Sequence, residues 1–222
     1  MKFKKRDGSL EPKDISKIHK MTQWMCEGIA NVSPSEIEIR ANLQFFDGME
    51  TTEIQKTLYR SAADLISDRT PNYQYVAARG LLTEIRKEVW GQYEPKHLAE
   101  TIIRNVESNI YENTYNYYTY SEIDYFNSKM KHERDLTYTY AGIRTVLDSY
   151  TLKKDSFPME TPQEINMLVS MTLFKDEKDI ILRKSLVVDY YNKLSTFEIS
   201  LPSPFMSGLR TPLKGYASCC LI

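Results

Sequence analysis

The chain is poor in the residues that define several protein classes. Three cysteines in 222 residues, Cys26, Cys219 and Cys220, are too few for a disulfide framework and imply reduced thiols in a cytoplasmic setting. Eight glycines and nine prolines exclude collagen-like and low-complexity chains. Neither sign of charge dominates: 29 Lys and Arg stand against 30 Asp and Glu, so no whole-chain cationic field exists to hold nucleic acid or anionic lipid. The longest apolar run, Met167 to Phe174, already contains Ser170 and Thr172 and falls far short of the ~20 residues that cross a bilayer. The start, Met1-Lys2-Phe3-Lys4-Lys5-Arg6, runs straight into charge with no apolar signal core behind it. The expectation is a cytoplasmic chain with no membrane partner, no direct nucleic-acid partner and no metal ligands.

The composition that is present, 41% hydrophobic and 27% charged, suits a globular chain of one large or two small domains. Charge is uneven: residues 1–20 hold seven Lys and Arg and three Asp and Glu, net +4, which leaves -5 for the rest of a chain whose total is -1. An anionic ligand is therefore sought at the N-terminus. Asp7-Gly8 between short extended runs predicts a hairpin with a type I′ turn. Four helices should follow. Asp14 caps the first, with Ile15, Ile18, Met21, Trp24, Met25 and Ile29 on one stripe, ending near Gly28. Ser33-Pro34-Ser35-Glu36 opens the second with a capping box. Thr51 or Thr52 opens the third, whose stripe runs through Ile54, Leu58, Ala62, Leu65 and Ile66. Tyr73 to Trp90 makes the fourth, and Gly91-Gln92 marks a boundary.

Beyond it the helical pattern continues over 95–109, 121–130, 135–150, 161–174 and 179–197, with a polar loop at Lys153 to Pro162. Tyr111 to Tyr125 holds six tyrosines; without a basic run beside them they read as packing residues and not as a base-stacking platform. Cys26 within a helical stripe reads as a small buried hydrophobe. Phe197 to Leu201 alternates like a strand, and Pro202, Pro204, Gly208, Pro212 and Gly215 punctuate an irregular stretch ending in Ser218-Cys219-Cys220-Leu221-Ile222. That end is expected to lie near a surface or against a second polypeptide.

Lys5-Arg6-Asp7-Gly8-Ser9, followed by Glu11, Asp14, Lys17-Ile18-His19, Thr51 and Lys87, resembles an ATP cone, a regulatory nucleotide-binding domain. Pro71-Asn72-Tyr73, Gly91-Gln92-Tyr93-Glu94-Pro95, Lys131-His132-Glu133-Arg134-Asp135, Pro204-Phe205-Met206-Ser207-Gly208, Arg210-Thr211-Pro212 and Ser218-Cys219 resemble, in order, the N-terminal third of the class I ribonucleotide reductase large subunit. The resemblance implies a mainly α chain: an ATP cone over 1–92, a four-helix bundle with a small β cap; a helical layer of the reductase domain over 93–200; and over 201–222 a substrate loop and the first strand of a ten-stranded α/β barrel completed elsewhere.

It also implies roles. Lys5, Arg6, Lys17 and Lys87 would neutralise the triphosphate of ATP or dATP, and Glu11 would take ribose hydroxyls or orient a lysine. The Pro12-Lys13-Asp14-Ile15-Ser16 segment would add main-chain donors where it enters the first helix, with Thr51 near base or phosphates. Gln55 and Thr83 stand where some family members carry a histidine and an aromatic residue. Cys219 would be one of two redox-active thiols facing the 2′ position of a ribonucleoside diphosphate, with Ser203 and Ser218 as substrate hydroxyls. Cys220 could close with Cys219 only through a strained ring and is assigned to packing. The implied partners are the remaining large-subunit polypeptide, a small subunit whose metal site generates the radical, a thioredoxin or glutaredoxin reductant, and further copies in a homo- or hetero-oligomer. The alternative is a freestanding ATP-cone regulator without catalysis.

Overall fold

The computed structural model of the chain describes residues 1–5 and 8–212. Among them the protein is mainly helical, with two small antiparallel hairpins. Two compact units form, one from Met1–Ile85 with Leu136–Arg144, the other from Arg86–Asp135 with the residues from Thr145 onward.

In the first unit β1 (Lys2–Lys4) pairs antiparallel with β2 (Leu10–Pro12), Phe3 opposite Glu11. Lys5 N–H donates to the Ser9 carbonyl at 2.8 Å and Gly8 N–H to the Lys5 carbonyl at 2.9 Å, with Gly8 at φ 84°, a left-handed conformation open to a residue without Cβ. Arg6 and Asp7, and with them the expected type I′ turn, lie outside the described residues. The other edge of β1 is also held: Lys4 N–H donates to the Met49 carbonyl at 3.0 Å and Gly48 N–H to the Lys2 carbonyl at 2.8 Å. Phe3, the buried residue of β1, meets Phe45 edge to face at 5.8 Å.

Four helices complete this unit: α1 (Ile15–Cys26), α2 (Pro34–Asn42), α3 (Thr51–Ala63) and the first part of α4 (Tyr73–Trp90). The stripe residues Ile18, Met25, Ile54, Leu58 and Ala62 are buried as their spacing requires. Gly28, at φ 69°, follows α1. Leu65 and Ile66 lie past α3, which stops at Ala63. Helices α3 and α4 meet closely at Gly80, where a Cβ would fall 2.5 Å from Tyr59 Cβ and 2.9 Å from Met25 Cε. The capping box expected at Ser33 is not formed. The fully buried Tyr73 displaces it: its hydroxyl accepts from Ser33 N–H at 2.9 Å and donates to Glu36. Burial, and then the Glu36 carboxylate, push that phenol up to about 12.

The second unit packs α5 (Leu98–Glu107), α6 (Tyr120–Lys129), α8 (Pro162–Leu173) and α9 (Ile180–Ser195) around Leu98, Ile102, Ile123, Phe126, Met167 and Val187. Burying each such side chain contributes roughly 1.5–3 kcal/mol. The tyrosine-rich stretch packs in part: Tyr111 and Tyr118 are buried in this core, Tyr117 and Tyr125 lie against it, and Tyr118 meets Phe126 edge to face at 5.6 Å, whereas Tyr115 and Tyr120 are exposed.

Three expectations fail between residues 135 and 208. Residues 135–150 are a 3-10 turn (His132–Thr137), α7 (Tyr140–Thr145) and a π turn (Val146–Tyr150) in place of one helix. Asp135 does not open a helix: buried, it binds Arg86 at 3.0 Å and Gln163 at 2.9 Å. The Lys153 to Pro162 loop contains a hairpin, β3 (Lys153–Lys154) with β4 (Phe157–Pro158), turned by Asp155 and Ser156 at φ 50° and 71°. The strand expected at Phe197 to Leu201 is absent, since Phe197 adopts φ 63° directly after α9, and the punctuated stretch forms α10 (Ser203–Gly208). The expected barrel strand, with Ser218, Cys219 and Cys220, lies outside the described residues. Among the described residues no helix is long and apolar enough to cross a membrane.

Candidate functional site

Strand β2 ends at Pro12 and α1 begins at Ile15, so Glu11 to Lys17 crosses from sheet to helix and lines an open concavity. Glu11 is the centre of its charge. Its Oε2 lies 2.6 Å from Lys5 Nζ and its Oε1 2.5 Å from Lys17 Nζ, so one carboxylate gathers two ammonium groups from different elements. Those hydrogen bonds, Lys17 first and Lys5 second, hold the Glu11 carboxyl below its ordinary range. Asp14 caps α1 as expected, accepting from Ser16 N–H at 2.9 Å and from Ser16 Oγ at 2.6 Å. The Ser16 hydroxyl is the main reason its carboxyl is also lowered. Ile15, at 66% exposure, stands as an uncovered apolar side chain beside these charges.

Not every expected residue joins this cluster. Lys13 points toward the end of α2: its Nζ donates to Asn42 Oδ1 at 2.5 Å and stands 5.3 Å above the Phe45 ring. Thr51 is the exposed first residue of α3. It follows Glu50, which accepts from Lys4 Nζ at 3.2 Å, so β1 and the start of α3 are tied together. Lys87 is half-buried in the last turn of α4, within the second unit. Gln55 Nε2 donates to the Gly80 carbonyl at 3.4 Å, and Thr83 Oγ1 to the Arg79 carbonyl at 3.0 Å, so both serve α4 locally. Cys26 is a buried free thiol, pushed up to about 11 by burial, which makes it a poor nucleophile. Arg6, Ser218 and Cys219 lie outside the described residues, and Ser203 is the exposed first residue of α10.

Sequence reasoning missed the buried ionic groups of the second unit. Glu160, with no exposed surface, accepts from Arg210 Nε at 2.7 Å, from Leu152 N–H at 2.8 Å, and from the Tyr111 hydroxyl and Arg210 Nη2. Burial and the neighbouring Glu160 charge push the Tyr111 phenol well above its usual value. Asp135 pairs with Arg86 in the same unit. Buried charges follow no 3.6-residue or two-residue period; the available signal was charged residues standing between apolar ones, as in Met159-Glu160-Thr161 and Leu209-Arg210.

Residues 1–88 match the ATP cone domain family, and residues 136–214 match the family described as ribonucleotide reductase, all-alpha domain. The chain is 39% identical over 221 residues to ribonucleoside-diphosphate reductase 1 subunit alpha of Escherichia coli (strain K12), which takes in 98% of this chain and 29% of that protein. Ribonucleoside-diphosphate reductase subunit alpha of Enterobacteria phage T4 is 38% identical over 221 residues, and that of Haemophilus influenzae 37% over 222, with the same shares covered. The chain thus spans 29% of the length of these relatives. A freestanding regulator is not favoured, because the similarity continues well past the cone.

Proposed function

We propose that this chain is the N-terminal part of a ribonucleotide reductase large subunit, that its cone senses ATP or dATP, and that its C-terminal residues supply one reducing thiol. The carrying observation is Glu11 between Lys5 and Lys17, at the entry to a helix whose first turn is capped by Asp14. A triphosphate binding there takes over the two ammonium groups as stronger, multiply charged acceptors. Glu11 is then released to accept ribose hydroxyls, and the exposed Ile15 offers a face for the base. Arg6, Thr51 and Lys87 complete the set by family likeness, with Pro12, Lys13 and Ser16 supplying the backbone between them.

In the reductase portion, Cys219 and a second thiol from the remaining polypeptide reduce the ribose of a ribonucleoside diphosphate. Two S–H bonds and the 2′ C–O bond break, one S–S bond forms, one hydrogen leaves with the 2′ hydroxyl as water and the other ends on the 2′ carbon, so atoms and electrons balance. A thioredoxin or glutaredoxin dithiol then re-reduces the pair in the cytoplasm. Ser203 and Ser218 hold the substrate, and a partner small subunit starts the radical step. Calorimetric titration of ATP and dATP into the chain tests the cone: each of Lys5→Ala and Lys17→Ala should weaken binding about tenfold or more, the worth of a charge-assisted hydrogen bond. Unchanged affinity in both variants defeats the assignment. Adding the remaining subunit polypeptide and the radical subunit should give deoxyribonucleotides, lost with Cys219→Ser and kept with Cys220→Ser.

A further inference from the structure

The approach to the reductase end is held by one side chain. Arg210 follows α10 and is 3% exposed. Its guanidinium clamps Glu160 through Nε and Nη2, donates from Nη2 to the Tyr150 carbonyl at 2.8 Å, and donates from Nη1 to the Met206 carbonyl in α10. The residue also accepts from Glu112 N–H at 2.9 Å through its own carbonyl. The Tyr150 carbonyl is presented by the π turn, which closes where Thr151 N–H and Oγ1 reach back to the Val146 carbonyl at 2.9 and 3.0 Å. Single π turns occur frequently at functional sites. The Glu160 carboxylate is itself fixed by Leu152 N–H and the Tyr111 hydroxyl. One planar fork therefore joins α10, the π turn and Glu160, two residues before α8 begins, and a lysine lacks the fork to replace it.

We infer that Arg210 is a positioning residue for the substrate: it seats α10 so that the exposed Ser203, at the first position of that helix, presents its hydroxyl to the diphosphate. This rests on the reading of Ser203 as a substrate contact. Four of the five guanidinium N–H groups are engaged by Glu160 and two carbonyls and the side chain is buried, so Arg210 acts through α10.

The test uses the assembled enzyme, with the remaining large-subunit polypeptide and the radical subunit present, and follows KM and kcat for a ribonucleoside diphosphate. Losing a hydrogen bond to a charged diphosphate costs about tenfold or more in affinity, so Arg210→Lys should raise KM about tenfold with kcat nearly kept. The double variant Arg210→Lys with Ser203→Ala should be no worse than Ser203→Ala alone. Tyr111→Phe keeps the ion pair and loses one hydrogen bond to Glu160; it should shift KM a few-fold the same way and serves if Arg210→Lys does not fold. Hydrogen exchange over residues 203–208 should quicken in either variant. Loss of kcat at constant KM, or multiplicative effects in the double variant, overturns the inference while Ser203→Ala still raises KM. An unchanged KM in Ser203→Ala overturns the substrate reading of Ser203 itself, and the inference with it.

Discussion

Glu11 lies between two lysines on the surface of the first unit, whereas Glu160 lies between Arg210 and Tyr111 with no exposed surface in the second. Lys5 and Lys17 are 44% and 62% exposed at their side chains, so water and salt compete with Glu11 for them, and little stability depends on the arrangement. Such a cluster can exchange partners. Glu160 and Arg210 cannot: removing either leaves an uncompensated charge in a dry interior. The same chemistry, carboxylate with cation, makes a responsive surface in one place and a rigid joint in the other, and burial decides which.

That contrast can be broken most forcefully at Glu160. Glu160→Ala should lower the unfolding free energy by about 3–5 kcal/mol, read from the urea midpoint, because Arg210 is left buried and alone. A loss no larger than that of a surface variant would erase the distinction. Next in size is Gly80→Ala, where the new methyl meets Tyr59 Cβ at 2.5 Å. The expected loss is about 1–3 kcal/mol, typical of overpacking, and it would show that the first unit has a rigid interior beneath its exchangeable surface.

The second unit also holds a pair whose titrations oppose. Burial pushes Asp135 up to about 6 despite the pull of Arg86, and burial with the Arg86 charge pushes His132 down to about 4. Between about pH 4 and 6 folded Asp135 keeps a proton that the unfolded chain has released, so its contribution falls as pH rises. Over that window the unfolded chain protonates His132 and the folded chain does not, so that contribution rises with pH. Asp135→Asn should therefore unmask a stability that climbs by about 1.4 kcal/mol per pH unit between pH 4 and 6. A flat profile in that variant would remove His132 from the account. The smallest effect belongs to Glu11→Gln, which should leave the melting temperature unchanged while altering the salt dependence of nucleotide binding. A clear drop in melting temperature would make the surface cluster structural after all.

The first unit was largely legible in the sequence because its signals are local. Asp14, the stripe through Ile54, Leu58 and Ala62, and Asp-Gly between extended runs each act within a few residues. Even there Ser33 misled, because a tyrosine forty residues away supplied the hydroxyl that meets both its N–H and Glu36. The second unit was less legible. Asp135 stood at the start of a helical pattern and is a buried partner of Arg86, and Phe197 stood at the head of an alternating run and takes a left-handed turn. Charge and alternation carry the same letters whether a residue faces water or a distant arginine. The candidate site followed suit: Glu11 with its lysines was readable from charge and motif, while the Arg210 joint depends on three chain segments whose meeting no spacing announces.

Gly80 has a mechanical consequence. With no side chain there, α4 rests on the Tyr59 Cβ of α3, and the tip of Met25, near the far end of α1, reaches the same spot. A methyl at position 80 would have to push against both at once, so the spacing of α4 from α3 and from the end of α1 is set by a hydrogen atom where every other residue carries a carbon.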